Sequence, residues 1–162
     1  MNIRRSKMSD LGEMERIYAY ARGQMRLGGN PNQWKNDGPP KESVIKDIEN
    51  GNSYVIEEGG RICGVFSFII GDDPTYAVIE SGGWLNDEPY GTIHRIASDG
   101  TCRGVFSRCL DFCTQLIANI RIDTHADNRI MHHLLRKHGF ERCGIIYIAD
   151  GSERTAYQKV LR

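Results

Sequence analysis

The sequence has no long hydrophobic run and no excess of charge of either sign. Its longest apolar stretch, VFSFII at 65–70, is far shorter than the ~20 residues that a membrane-spanning helix needs. Basic and acidic residues number 21 each, so no overall field favours nucleic acid or an acidic membrane surface. The first residues, MNIRRSKMSDLGEMER, lack the apolar segment of a secretion signal. We therefore expect no nucleic-acid partner and no membrane partner.

Cysteine is also scarce, and its pattern is not that of a disulfide framework. There are five cysteines, an odd number, and no two of them form a Cys-x-x-Cys pair. Cys109 and Cys113 fall on the apolar stripe of one predicted helix, where a free thiol behaves as a small hydrophobic side chain. A reducing cytoplasm is the simplest interpretation.

A recognisable metal-binding spacing is missing as well. Potential ligands do crowd one region of the chain, namely His125, His132, His133, His138 and Cys143. Neighbouring residues on a helix point about 100° apart, and neither a His-Glu-x-x-His motif nor a cysteine pair occurs. We expect no metal.

The composition that remains is that of an ordinary globular protein. With 162 residues, 40% of them hydrophobic and 26% charged, the chain suits a single domain spanning residues 1–162.

The order of hydrophobic patterns predicts the fold class. A strand and two helices come first, followed by an antiparallel meander of strands over 53–58, 61–70 and 75–80. The second half alternates strand, helix, strand, helix, strand and ends on one more strand. Strand–helix–strand units require parallel pairing, whereas a meander requires antiparallel pairing. We therefore predict an α/β protein of the α+β type, with a mixed, mostly antiparallel central sheet and helices on both faces.

One segment changes from strand to helix across a loop that contains glycine. Residues 93–98 have a strand pattern, and a helical apolar stripe begins at Val105, directly after Arg103-Gly104. The first amides of a helix lack internal partners and carry a partial positive charge, so they suit an anion. Gly104 would let the backbone approach that anion closely. The alternative is a tight turn before an ordinary helix.

A second segment, DTHADNRIMHHLLRKHGFERCG at 123–144, places an asparagine near a helix start and Gly139-Phe140 at its end. Together with HRIAS and RGVFS, this order resembles the GNAT superfamily of acyl-CoA-dependent N-acyltransferases, over about residues 92–160. The resemblance implies a GNAT-like fold. It also implies an N-acetyltransferase that moves an acetyl group from acetyl-CoA, as co-substrate, to a primary amine by direct attack on the thioester.

The resemblance also implies how the carrier is bound. Backbone groups of Ile96, Ala97 and Ser98 would bind the pantetheine arm, and Asn128 would hydrogen-bond it. The pyrophosphate would lie against the loop and helix start, which comprise Arg103, Gly104, Val105, Phe106 and Ser107. The chain departs from the family pattern in this loop. If Gly104 takes the middle glycine, as the helix stripe from Val105 favours, Thr101 stands at the Arg/Gln position; if Arg103 takes that position, Phe106 and Arg108 replace both later glycines. Two departures bear on function. Phe106 replaces a small residue, and Leu135 stands where the family has a tyrosine acid.

His94 is the preferred general base, because a histidine titrates near neutral pH and lies on the strand that would hold the thioester. Strand alternation puts Thr92, His94 and Ile96 on one face and Arg95, as a structural residue, on the other. A histidine held by a structural hydrogen bond is the alternative. Glu80, on the predicted strand 75–80, is the second choice as base.

Four aromatic residues are candidates for the acceptor pocket: Trp34, Trp84, Tyr90 and Tyr20. For Trp34, Trp84 and Tyr90 the alternative is ordinary packing of their loops against the sheet, whereas Tyr20 lies on the first predicted helix, outside its apolar stripe. The acceptor itself is open among polyamines, amino acids, antibiotics, other small metabolites, and protein N-termini or lysines. A homodimer is an expectation from the family. A non-catalytic acyl-CoA-binding sensor or interaction module is the alternative function.

Overall fold

The computed structural model describes residues 1–35 and 37–161 of the chain. Its strands are β1 (Asn2–Arg5), β2 (Ser53–Glu58), β3 (Arg61–Ile70), β4 (Gly91–Ser98), β5 (Asn119–Thr124), β6 (Glu141–Tyr147) and β7 (Glu153–Val160). Its helices are α1 (Leu11–Leu27), α2 (Lys41–Glu49), α3 (Val105–Leu116) and α4 (Arg129–Lys137), with short 3-10 turns at Met8–Asp10 and Pro74–Tyr76.

The strands form one seven-stranded sheet in the order β1-β2-β3-β4-β5-β7-β6. Within the described residues, β4 and β5 are the one parallel pair, and every other neighbouring pair is antiparallel. The predicted fold class, a mixed and mostly antiparallel sheet with helices on both faces, is confirmed. The last strand, β7, lies between β5 and β6, so β6 forms the edge of the sheet.

The two larger apolar cores cover the two faces of the sheet. On one face, α3 buries Val105, Cys109 and Cys113, residues four apart that share one helix face, against β3, β4 and β5. On the other face, α1 buries Met14 and Ile17 against Val55, Val65 and Ala97 of the sheet. The sheet is therefore held from both sides along β3 and β4.

The predicted strand over 75–80 is wrong. The carboxylate of Asp73 accepts hydrogen bonds from the backbone N–H and the hydroxyl of Thr75 (2.9 and 2.7 Å), which starts a turn with Pro74 at its first position. Glu80 makes an isolated bridge to Ile145 of β6. β3 therefore pairs directly with β4, and the segment between them crosses to the far edge of the sheet.

The cysteines divide into two groups. Cys109, Cys113 and Cys143 are free and buried. Cys63 of β3 and Cys102 of the β4–α3 loop form a disulfide, with Cα atoms 6.1 Å apart. Glu58 lies beside that pair, in the one cluster of three potential metal ligands within residues 1–35 and 37–161.

No helix in the described part of the chain combines the length and the apolar character needed to cross a bilayer.

Candidate active site

β4 and β5 separate shortly after they begin to pair. Their register covers Gly91 with Ile120 and Thr92 with Arg121, and it extends no further among the described residues. The Asp99 N–H donates to the carbonyl of Cys63 in β3 (3.0 Å). Because N–H groups alternate sides along a strand, Ile96 and Ser98 direct their amides toward the split, and Ala97 directs its amide to β3.

The start of α3 lies at the open end of this split. Gly104 has φ = +69°, a left-handed conformation that suits glycine, and it caps the helix. The Arg108 N–H makes the first bond of the helix, to the carbonyl of Gly104 (2.9 Å). Among the described residues, the amides of Val105, Phe106 and Ser107 have no acceptor. Three main-chain donors and the positive end of the helix dipole thus share one position.

A cavity of about 610 Å³, the helix-start cavity, joins the β4 edge to these amides. Its walls include Ile96, Ala97 and Ser98 of β4 and the residues from Gly104 to Ser107, with Lys137 at the end of α4 and the following residue, His138, opposite. Phe106 is buried with its ring 5.2 Å from that of His138, packed toward α4. The cavity is therefore open at the helix start with this bulky side chain in place.

Asn128 caps α4 at the border of the helix-start cavity. Its Oδ1 accepts from the Met131 N–H (3.2 Å), and its Nδ2 donates to Oε1 of Gln33 (3.1 Å). Both ends of the amide are engaged within the protein. The predicted contact between Asn128 and pantetheine stays a prediction.

A smaller cavity of about 220 Å³, the His94 cavity, adjoins the first, and Ile96, Asn128 and Met131 border both. Its polar wall comes from separate segments: His94 of β4, Asp123 of β5, Arg154 of β7 and Gln33 of the loop after α1. Trp34 closes one side and packs edge-on against Tyr18 of α1, with ring centroids 5.4 Å apart.

His94 has a carboxylate partner that the sequence did not reveal. Its Nε2 lies 3.0 Å from Oδ2 of Asp73. Burial alone would raise the pKa of Asp73, but the hydrogen bonds from His94 and Thr75 outweigh it and lower the pKa to about 2. An ionised carboxylate only accepts, so Nε2 of the neutral ring carries the proton and Nδ1 keeps its lone pair. His94 is thus arranged as a proton acceptor.

A β-bulge changes the faces expected for β4. Ser67 pairs with His94 and Val65 with Ala97, so Phe66 alone faces two residues, Arg95 and Ile96. Arg95 takes up the extra length at φ = +51°. The prediction that His94 and Ile96 share a face is therefore wrong, since Ile96 packs on the α3 side with Phe66.

The bulge also places Arg95 on the side of α2. Its Nη2 lies 2.6 Å from Oδ2 of Asp47, which also accepts from the hydroxyl of Ser67 (2.7 Å). Register partners lie on the same face of a sheet, so His94 shares the face of Ser67. Arg95 binds the same carboxylate as Ser67, and the prediction that Arg95 and His94 occupy opposite faces is therefore wrong. Arg95 holds the bulge to α2 and lines the His94 cavity. Its predicted structural role stays a prediction.

Three aromatic candidates lie outside the wall of the His94 cavity. Trp84 and Tyr90 enclose the guanidinium of Arg121, whose Cζ is 4.1 and 3.9 Å from the two ring centroids. The Tyr90 hydroxyl accepts from the Asp73 N–H (2.7 Å), so Tyr90 contacts the partner of His94 from outside the His94 cavity. Tyr20 is exposed on α1 near Gly100. Contacts between these rings and an acceptor stay predictions without support from this geometry.

Glu80 is likewise remote from the His94 cavity. Its carboxylate accepts from the Tyr147 hydroxyl (2.8 Å) at the β6 edge, and it does not line that cavity. Leu135, at the family's tyrosine position, is fully buried among core residues. Neither residue reaches the place where His94 and the β4 edge meet.

Gln33 connects several segments at the His94 cavity, and sequence reasoning missed it. Its Oε1 accepts from Asn30, Thr124, Asn128 and the backbone of His125, at 3.0 to 3.3 Å. This one oxygen therefore ties the loop after α1 to β5 and to the start of α4. A glutamine in a loop rich in turn-forming residues gives no sequence signal for such a role.

No family model and no curated protein sequence matches the chain. Among solved structures, an acetyltransferase of the GNAT family from Streptococcus agalactiae is 32% identical, with 99% of this chain and 95% of that chain covered and a TM-score of 0.89. Two others are similar in fold.

One of these is a putative acetyltransferase from Staphylococcus aureus, at 24% identity, full coverage of both chains and a TM-score of 0.73. The other is a ribosomal-protein-alanine N-acetyltransferase from Brucella melitensis, at 18% identity, covering 99% of this chain and 100% of that chain, with a TM-score of 0.62. The identity to the streptococcal protein over nearly the whole length, together with the shared fold, shows that this chain belongs to the GNAT family of acetyltransferases.

Proposed function

We propose that the protein is an N-acetyltransferase that transfers the acetyl group of acetyl-CoA to a primary amine by direct attack on the thioester. The observation that supports it most is that the unpaired edge of β4 connects a proton acceptor with the free amides of a helix start. The unpaired β4 edge runs from His94, which is arranged to accept a proton, to the free amides at the start of α3. The helix-start cavity joins this edge to those amides.

The helix-start cavity would take the carrier through main-chain groups. Ile96 and Ser98 would bind the pantetheine arm as an added strand does, and Ala97 would line its path. The amides from Gly104 to Ser107, with Arg103 exposed beside them, would hold the pyrophosphate. Asn128 borders the same channel. Acetyl-CoA supplies the activated acyl group when bound.

His94 would then prepare the amine. An aliphatic ammonium has a pKa near about 10.4 and must lose a proton before it attacks. Nδ1 of His94 accepts that proton, and the Asp73 carboxylate stabilises the imidazolium that results. The amide of Ile96, which faces the split, is positioned to donate to the oxygen of the tetrahedral intermediate. A thiol leaving group with a pKa of about 8.5 departs as thiolate with little help, which accommodates Leu135 at the tyrosine position.

Calorimetry with acetyl-CoA, alongside a thiol-release assay over polyamines, amino acids, small amines and peptides, tests this proposal. We expect micromolar binding and turnover on at least one amine. Tight binding without turnover on any amine would make the protein a sensor or interaction module instead. Absence of binding would remove acetyl-CoA from its function altogether.

Two finer expectations belong to the same proposal. A homodimer is to be tested by light scattering at several protein concentrations. A cytoplasmic location is to be tested by fractionation, and the Cys63–Cys102 disulfide is the feature that a reducing compartment would open.

A further inference from the structure

Arg154 is a buried cation in the wall of the His94 cavity. It lies on β7 next to Thr155, the register partner of Thr124 at the end of β5, and only 6% of its surface is exposed. Its Nη1 donates to the hydroxyl of Ser152 (3.2 Å) and the carbonyl of Glu153 (2.8 Å), and its Nη2 to the carbonyl of Gln33 (3.4 Å). All three acceptors are uncharged.

The other basic side chains of this cavity already have counter-ions. His94 has Asp73 at 3.0 Å, and Arg95 has Asp47 at 2.6 Å. Arg154 has no carboxylate within 4.0 Å in residues 1–35 and 37–161. A buried charge without a counter-ion is costly, and a ligand carboxylate in this cavity would supply the missing counter-ion.

The nearby acidic groups act on Arg154 only from a distance. Burial lowers the pKa of Arg154, and the charges of Asp123 and Asp150 oppose that effect. The Asp123 carboxylate is itself engaged, since it accepts from the Tyr76 hydroxyl at 2.6 Å. The His94 cavity thus has a negative side chain on β5 and an uncompensated positive one on β7.

We propose that the acceptor is a small amino-acid-like molecule whose carboxylate binds Arg154 while its amine faces His94 and Asp123. This inference rests on the proposed acetyl transfer and names the substrate class of the same site. Among the described residues, the Nε–H and one Nη2–H of Arg154 have no partner, and these two adjacent nitrogens form the fork that matches a carboxylate in bidentate geometry. A cavity of about 220 Å³ has room for a single amino acid.

The test compares acids with their amides. Thiol release is measured for L-amino acids, for the corresponding L-amino acid amides, and for diamines of similar length. We expect the best amino acid to exceed its amide in kcat/KM by roughly 10- to 100-fold, because a charge-assisted bidentate hydrogen bond is lost in the amide. Equal rates for acid and amide, or a preference for diamines, would overturn the inference and leave acetyl transfer intact.

Variants of Arg154 assign the effect to this side chain. Arg154→Gln should bring the acid-to-amide ratio close to one, and Arg154→Lys should leave an intermediate ratio. Arg142→Gln is the matched control, because Arg142 is an exposed arginine on the neighbouring strand β6 and should keep the wild-type ratio. If the Arg154 variants lower the melting temperature and leave the ratio unchanged, Arg154 only secures the loop at Gln33, and the inference fails.

A binding measurement tests the carboxylate site even if the protein or its Arg154 variants acetylate no amine. Calorimetry in the presence of CoA compares an N-acetyl amino acid with its N-acetyl amide. Tighter binding of the acid, lost in Arg154→Gln, supports the carboxylate site even if no amine is acetylated, in which case the acetyl-transfer proposal alone fails. Equal affinity of the two compounds would refute the carboxylate site.

Discussion

The two adjoining cavities are built in different ways. In the helix-start cavity, the main-chain donors come from one continuous segment, from Ile96 of β4 to Ser107 of α3, although α1 and α4 complete its walls. The His94 cavity uses side chains from distant parts of the chain, including Gln33, Asp123 and Arg154. A main-chain site depends on local backbone geometry and tolerates a side chain such as Phe106. A side-chain site depends on each residue that forms it.

The largest effect is expected at His94. His94→Ala removes the proton acceptor, so kcat should fall by about 10²- to 10⁴-fold while the dissociation constant for acetyl-CoA changes little. Steady-state kinetics and calorimetry measure the two quantities separately. An unchanged kcat would exclude His94 from the mechanism. A large loss of carrier affinity would show that the two cavities are not functionally separate.

Trp84→Ala is expected to cost stability and leave kinetics alone. The change removes packing on Tyr76 and Arg121 and the bond from Nε1 to the Tyr76 carbonyl (2.9 Å), which should lower the free energy of unfolding by about 3 kcal/mol. The acceptor KM at a permissive temperature should stay within about twofold.

Trp34→Ala is the matched control for Trp84, because Trp34 does line the His94 cavity. Its main effect should be a higher acceptor KM. If Trp84→Ala raises the KM as much as Trp34→Ala does, Trp84 has a role in acceptor binding that this geometry does not explain.

The Asp73 carboxylate should make the free energy of unfolding depend on pH in the acidic range. Its folded pKa of about 2 lies below the ordinary value of 3.8, so its contribution of about 2 kcal/mol is present above pH 4 and is lost as the pH falls toward 2. Asp73→Asn should therefore be less stable than the wild type at pH 6, and the gap should close in acid. Urea unfolding between pH 2.5 and 6 measures it. A gap that does not vary with pH would contradict the lowered pKa of Asp73.

The smallest effect is expected at the start of α3. Gly104→Ala places its Cβ more than 4 Å from other atoms of residues 1–35 and 37–161, so its cost is that of the left-handed backbone, about 1 to 2 kcal/mol. We expect a small loss of stability and a several-fold loss of affinity for CoA, by calorimetry. Gly12→Ala, on the exposed face of α1, also meets nothing and should be neutral or stabilising. Equal behaviour of the two variants would refute the importance of the Gly104 conformation.

Most of the fold was predictable, and the errors are local. The predicted strand at 75–80 failed because the Asp73 side chain competes for the backbone of Thr75 and starts a turn there. The prediction of which β4 side chains share a face was wrong because one extra residue at Arg95 interrupts the alternation on which such predictions depend. The Cys63–Cys102 pair was not visible because 39 residues separate its members.

The sequence by itself determined the order of strands and helices apart from the segment at 75–80, together with the start of α3 and the glycine that precedes it. These features depend on periodicity and backbone preference, which act between near neighbours. Only the tertiary structure decided that Asp73 would meet His94, that Gln33 would join three segments, and that Arg154 would be buried with no carboxylate from residues 1–35 and 37–161 beside it. Such contacts join residues far apart in the chain, and their distances are set by the packing of the whole sheet.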